Sequence, residues 1–249
     1  MSEPRVALVT GASRGIGRAI ALALAQQGCT VGCFGRDEGA LGETSRLIRD
    51  AGGQCAVFIG DAQSNDSVEA FAQWAVAQWG GIDVVVNNAG IVLEGRPENT
   101  TPEQFSRILQ VNLVSQFALA RAAHASMRAR GGGVIINIGS LAGAIAFPRT
   151  VAYCASKAAI DGMTRALAYD WAADNIRVLC VAPGYVETDF VKNTIADSRT
   201  RDWIVKRVPL GRMGTSAEIG EFVAFLASKE ASFCTGETYY VDGGQRVAI

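Results

Sequence analysis

Short runs of apolar, β-branched residues alternate along the chain with longer segments whose apolar positions recur at helical spacing. Strands are expected at 5–10, 30–35, 54–59, 83–87, 133–139, 176–182 and 238–241, and helices at about 15–27, 39–51, 65–79, 102–130, 152–173 and 216–228. The runs IDVVVN and GGVIINIG are apolar throughout rather than alternating, as strands covered on both faces must be. Strand–helix–strand repetition predicts an α/β fold with a doubly wound parallel sheet and right-handed crossovers. No composition break or low-complexity tract interrupts 1–249, so one domain is expected. The longest aperiodic stretch, 183–215, follows a strand end, and a substrate lid is expected there, at about 186–212.

Composition narrows the partners. Hydrophobic residues make up 49% of the 249 positions and there are 28 glycines, which suits a large buried core with many tight turns. The net charge is −1 and no basic run occurs, which argues against nucleic acid or an anionic membrane surface as partner. No apolar stretch reaches the roughly 18 residues of a membrane span. The first strand-like run begins at Arg5, leaving no room for a leader, so a cytoplasmic location is expected. Cys29, Cys33, Cys55, Cys154, Cys180 and Cys234 form no C-x-x-C and read as core side chains in a reducing compartment. His124 is the only histidine, too few for a His-rich zinc site, and no G-x-S-x-G frames a serine; it reads as structural, and no metal is expected.

Two features carry chemistry. Tyr153 and Lys157 stand four apart in YCASKAAIDGMTRALAYDWA, on one face of an expected helix. An ammonium beside a phenol favours the phenolate, so a hydroxyl that titrates near ~10 can exchange protons closer to neutrality. Earlier, VALVTGASRGIGRAI runs a strand into Gly11, Gly15 and Gly17 and then a helix. Glycines there let the backbone approach a pyrophosphate, whose charge the helix N-terminus favours.

These motifs occur in order with NNAG at 87–90, Asn112 in LQVNLVSQ, Ser140 in NIGSLAG and APGYVET at 182–188. Together they resemble the short-chain dehydrogenase/reductase family in its single-domain form, from Val6 to VDGG at 241–244. The resemblance implies a Rossmann-type sheet of seven parallel strands with helices on both faces. It implies that Tyr153 is the general acid towards a carbonyl, that Lys157 lowers the Tyr153 pKa and holds the nicotinamide ribose, and that Ser140 hydrogen-bonds the same oxygen. Asn112 would hold a water that links Lys157 to solvent.

The cofactor contacts implied are Gly11, Ser13, Arg14, Gly15, Ile16 and Gly17 in the first turn, then Arg36, Asp61 and Ala62. Asn88, Ala89 and Gly90 follow, with Tyr153 and Lys157, then Pro183, Gly184, Val186 and Thr188. Asp37 stands at the spacing of an acid that binds a ribose 2′-hydroxyl, but strand two ends at Gly35, and Arg36 and Arg14 flank the pocket. Two guanidiniums match a 2′-phosphate, so NADP(H) is expected over NAD(H), with Asp37 pointing outward or capping the next helix.

For the substrate, Ser140, Leu141, Ala142, Phe147, Tyr153, Tyr185 and Phe190 are expected to line the pocket, with Ile145, Pro148, Trp203 and Ile204 near it. This apolar set suits a small or medium ketone or secondary alcohol. The 3-oxoacyl-carrier-protein reductases are a second reading, in which Arg128 and Arg130 would hold an acidic carrier protein. Ala173 and Asp174 stand where further basic residues would be expected, which weakens it. A non-catalytic NADP-binding redox sensor is a third reading, and a sensor has no reason to keep the Ser140–Tyr153–Lys157–Asn112 set. The helices at 102–130 and 152–173 resemble the family's oligomer interface, so a homotetramer or dimer is expected.

Overall fold

The apolar runs pair side by side in one parallel sheet. The structure, a computed structural model, describes residues 4–188 and 197–248. Strands β1 (Val6–Thr10), β2 (Thr30–Gly35), β3 (Gln54–Ile59), β4 (Val84–Asn87), β5 (Gly133–Ile138), β6 (Ile176–Pro183) and β9 (Thr238–Val241) form a seven-stranded sheet in the order β3-β2-β1-β4-β5-β6-β9. All six pairings are parallel, with Val9 opposite Cys33 on one side and Val86 on the other. Two short strands, β7 (Val186–Glu187) and β8 (Gly214–Thr215), pair with each other outside the main sheet.

Alternation along β1 shows how the core divides. Ala7 and Val9 face one layer with Ile20 and Leu24 of α1 (Gly15–Gln26), Leu41 and Ile48 of α2 (Glu38–Asp50), and Ile219 and Val223 of α8 (Ser216–Ala227). Val6 and Leu8 face the other, with Val68 and Phe71 of α3 (Asn65–Trp79), Leu119 of α5 (Ser115–Ala129) and Leu167 of α6 (Val151–Asp170). Both faces are therefore dry, which is why the strands read as continuous apolar runs. The strand order reverses between β1 and β4, and the carboxyl ends of such strands form a crevice at the switch point.

The expected helix at 102–130 is three pieces: α4 (Pro102–Leu109), a π turn at Gln110–Val114, and α5. The π turn carries Asn112 inward, where its side chain is fully buried. The stretch expected to be aperiodic contains α7 (Ser198–Val205) besides β7 and β8. All six cysteines are free thiols; Cys29, Cys33 and Cys180 are core side chains, and the other three are half-buried. His124 packs on the Trp171 ring at 4.8 Å and its Nε2 lies 2.8 Å from Asp174 Oδ2, a structural role.

Candidate active site

A cleft of about 390 Å³ opens along the carboxyl ends of β1, β4, β5 and β6. At its first turn, Gly11 (φ 65) and Gly15 (φ 54) take left-handed conformations that side chains resist. Gly17 is buried in α1, and a Cβ there would collide with the Gly11 carbonyl oxygen and Asn88 Nδ2. The turn is braced from both sides. Asn88 Nδ2 donates to Thr10 O at 2.9 Å and Gly11 O at 3.2 Å, while the Asn88 and Ala89 N–H groups donate to Thr10 Oγ1, each at 3.0 Å. Arg18 donates to Ser13 O at 2.6 Å and Thr44 Oγ1 at 2.9 Å, a brace that the sequence pattern does not reveal. Backbone shaped this closely around an open crevice fits a pyrophosphate.

All the expected cofactor residues line this cleft, from Gly11 through Asn88 to Thr188. At one end stand Arg14 and Arg36, both exposed, with Arg36 Nη1 4.0 Å from Asp61 Oδ2. Asp37 does not join them. It is the N-cap of α2, and its Oδ1 accepts from the Ala40 N–H at 2.9 Å. Gly35, at the end of β2, presents no side chain to the cleft.

At the other end Ser140, Phe147, Tyr153 and Tyr185 line the wall, with the Phe147 and Tyr185 rings 5.6 Å apart. Ser140, two residues beyond β5, caps a 3-10 turn at Leu141–Gly143, accepting from the Ala142 N–H at 3.1 Å. It stands beside Tyr153 on the cleft wall. Burial pushes the Tyr153 phenol above its ordinary value and Ser140 pulls it back only in part. Lys157 is not among the groups that shift the Tyr153 phenol in this structure. Lys157 Nζ donates to the Ile138 carbonyl at 2.7 Å, 5.6 Å from the Tyr153 ring centroid, and burial lowers its own pKa from 10.5 to about 8.

Other expectations also change. Leu141 and Ala142 do not line the cleft, because the 3-10 turn buries both behind Ser140. Ile145 and Pro148, on the same loop as Phe147, stay off its wall. Trp203 and Ile204 do not line it either: Trp203 lies under the Arg207 guanidinium at 3.7 Å, and Ile204 is buried. Phe190 lies outside the described residues. Asn112 stands behind the wall: its Oδ1 accepts from Ile91 N–H at 2.8 Å, and Nδ2 donates to Ile91 O at 2.9 Å and Ser156 Oγ at 3.0 Å. Sequence reasoning missed Glu94 and Arg107, which also line the cleft. Lone charged residues of this kind carry no signature.

A Gly-rich turn at the switch point, joined to a Ser–Tyr pair and a buried Lys, defines a dinucleotide-dependent oxidoreductase. The family model described as enoyl-(acyl carrier protein) reductase matches residues 11–246. Nodulation protein G of a Rhizobium species is 40% identical over 240 residues, covering 96% of each chain. The 3-oxoacyl-[acyl-carrier-protein] reductase FabG of Chlamydia muridarum is 39% identical over 241 residues, again 96% of each. A crystal structure of a putative NAD(P)-dependent gluconate 5-dehydrogenase from Beutenbergia cavernae, with bound NADP, superposes with TM-score 0.94 at 36% identity, covering 99% of this chain and 98% of that one. The chain belongs to the short-chain dehydrogenase/reductase family.

Proposed function

We propose that the protein is an NADP(H)-dependent reductase of small or medium ketones, and in reverse a dehydrogenase of secondary alcohols. The observation that carries this reading is Ser140 and Tyr153 together on the wall of a cleft whose other end offers Arg14 and Arg36 and no acid from β2. Ser140, Tyr153, Lys157 and Asn112 are the proposed catalytic set.

NADPH bound along the glycine turn would supply the hydride. Tyr153 would donate its phenolic proton to the carbonyl oxygen, a direction favoured by a phenol held neutral by burial. Ser140, fixed by the Ala142 N–H, would donate a hydrogen bond to the same oxygen and stabilise developing charge. Lys157 would bind ribose hydroxyls and return a proton towards Tyr153. Asn112 would hold the Ile91 segment against Ser156 and hold the water that links Lys157 to solvent.

The preference for NADP(H) over NAD(H) is supported by the withdrawal of Asp37 into a helix cap, which leaves the adenosine end to guanidiniums that pair with phosphate. The crystallised relative with bound NADP agrees with it. A carrier-protein substrate is less favoured. Arg128 faces Asp174 at 3.3 Å and Arg130 faces Asp83 at 2.8 Å, so the two cations expected to hold an acidic carrier are already paired. Free core cysteines agree with a cytoplasmic location. Exposed Val114, Phe117 and Val151 agree with association through α5 and α6 into a homotetramer or dimer. Mixing protein, NADPH and a panel of ketones tests the reading: consumption of NADPH is expected, and binding without turnover of any ketone would favour a sensor.

A further inference from the structure

Among the described residues two carboxylates line the cleft, and they stand at opposite ends. Asp61 faces Arg36, whereas Glu94 belongs to the segment after β4 that approaches Tyr185. The Gly95 N–H donates to the Arg149 carbonyl at 2.8 Å, tying the Glu94 segment to the loop that carries Phe147 and leads into Tyr153. Arg149 makes this bond from a left-handed backbone conformation, φ 64, unusual for a side-chain-bearing residue. Strained backbone of this kind persists only where its surroundings hold it. Glu94 is thereby placed on the same wall as the Phe147 and Tyr185 rings.

The charges around Tyr185 have a sign. Burial pushes its phenol above the ordinary value, Glu94 pushes it further, and Arg207 opposes with a smaller effect. Neither Arg207 nor Arg149 lines the cleft. Arg107 does line it, from α4, but is not among the charges that act on Tyr185. No ion pair neutralises Glu94 among the described residues.

We infer that Glu94 makes this end of the cleft a charge filter: the part of the substrate remote from its carbonyl is neutral or cationic, with a hydrogen-bond donor for the carboxylate, and carboxylate-bearing substrates are selected against. This rests on the ketone-reductase reading. Glu94 is exposed, so a like charge several ångströms away is repelled through water-like dielectric, enough to change selectivity roughly a few-fold. Added salt would weaken the effect.

The test compares kcat/KM, with NADPH, for 3-oxo acids of several chain lengths and for their methyl esters, in the wild type, Glu94→Gln and Glu94→Lys. The wild type is expected to favour the esters, Glu94→Gln to raise the acid-to-ester ratio roughly a few-fold, and Glu94→Lys to raise it further. NADPH affinity serves as the control and is expected to stay the same. An unchanged ratio in both variants, or a wild type that prefers the acids, overturns the filter while leaving the reductase reading intact. Failure of the wild type to reduce any ester or acid overturns that reading, and the filter with it.

Discussion

Lys157 Nζ donates to the carbonyl oxygen of Ile138 at 2.7 Å, so this ammonium is a buried tie between α6 and the end of β5. Burial lowers its pKa from 10.5 to about 8. Below about 8 the folded and unfolded chains both carry the charge, and its desolvation cost is fully present. Between about 8 and 10.5 the folded chain has released the proton while the unfolded chain keeps it, so unfolding takes up a proton and stability rises with pH. The gain across that window is on the order of 3 kcal/mol. Lys157→Met has no such gain. Urea unfolding of both proteins from about pH 7 to 10 is expected to show the wild type gaining on the variant as pH rises, whereas parallel profiles would refute the assignment.

Gly17 tests the nucleotide turn. A Cβ at this buried position meets the Gly11 carbonyl and the Asn88 amide, and neither can move without loosening the end of β1. Gly17→Ala is expected to cost about 2–4 kcal/mol, from overpacking and a broken brace, and to abolish measurable NADPH binding. Calorimetric unfolding together with NADPH titration checks both. A stable variant with unaltered NADPH affinity would show that the turn does not hold the dinucleotide.

Arg36 tests the cofactor preference. Its guanidinium is 66% exposed and 4.0 Å from Asp61, too weakly paired to be held for structure alone. Arg36→Asp removes a charge-assisted hydrogen bond to phosphate and puts a repulsive carboxylate in its place. NADPH binding is expected to weaken by about one to two orders of magnitude, with NADH binding unchanged or improved. Titration with each cofactor measures this. Equal affinity of the wild type for both would defeat the assignment.

The parts of this site that were legible in the sequence are those governed by local rules. Continuous apolar runs located the seven strands, and the position of Asp37 directly before a helical pattern made it a candidate cap. The parts that were not legible depend on contacts between distant segments. The periodicity of FSRILQVNLVSQF is unbroken, yet a π turn interrupts the helix where Asn112 binds the Ile91 backbone, 21 positions away. Leu141 and Ala142 are apolar neighbours of Ser140, and only the 3-10 turn that Ser140 caps determines that they point into the core. The Lys157 ammonium likewise found a carbonyl from another element, which spacing within its own helix does not reveal.

The most direct test of Tyr153 as proton donor is kcat for NADPH-driven ketone reduction by Tyr153→Phe, with NADPH affinity measured on the same preparation. Loss of the phenolic hydroxyl is expected to lower kcat by about 10²–10⁴-fold, while the dinucleotide binds as before. A Tyr153→Phe protein that reduces ketones at the wild-type rate would contradict that role.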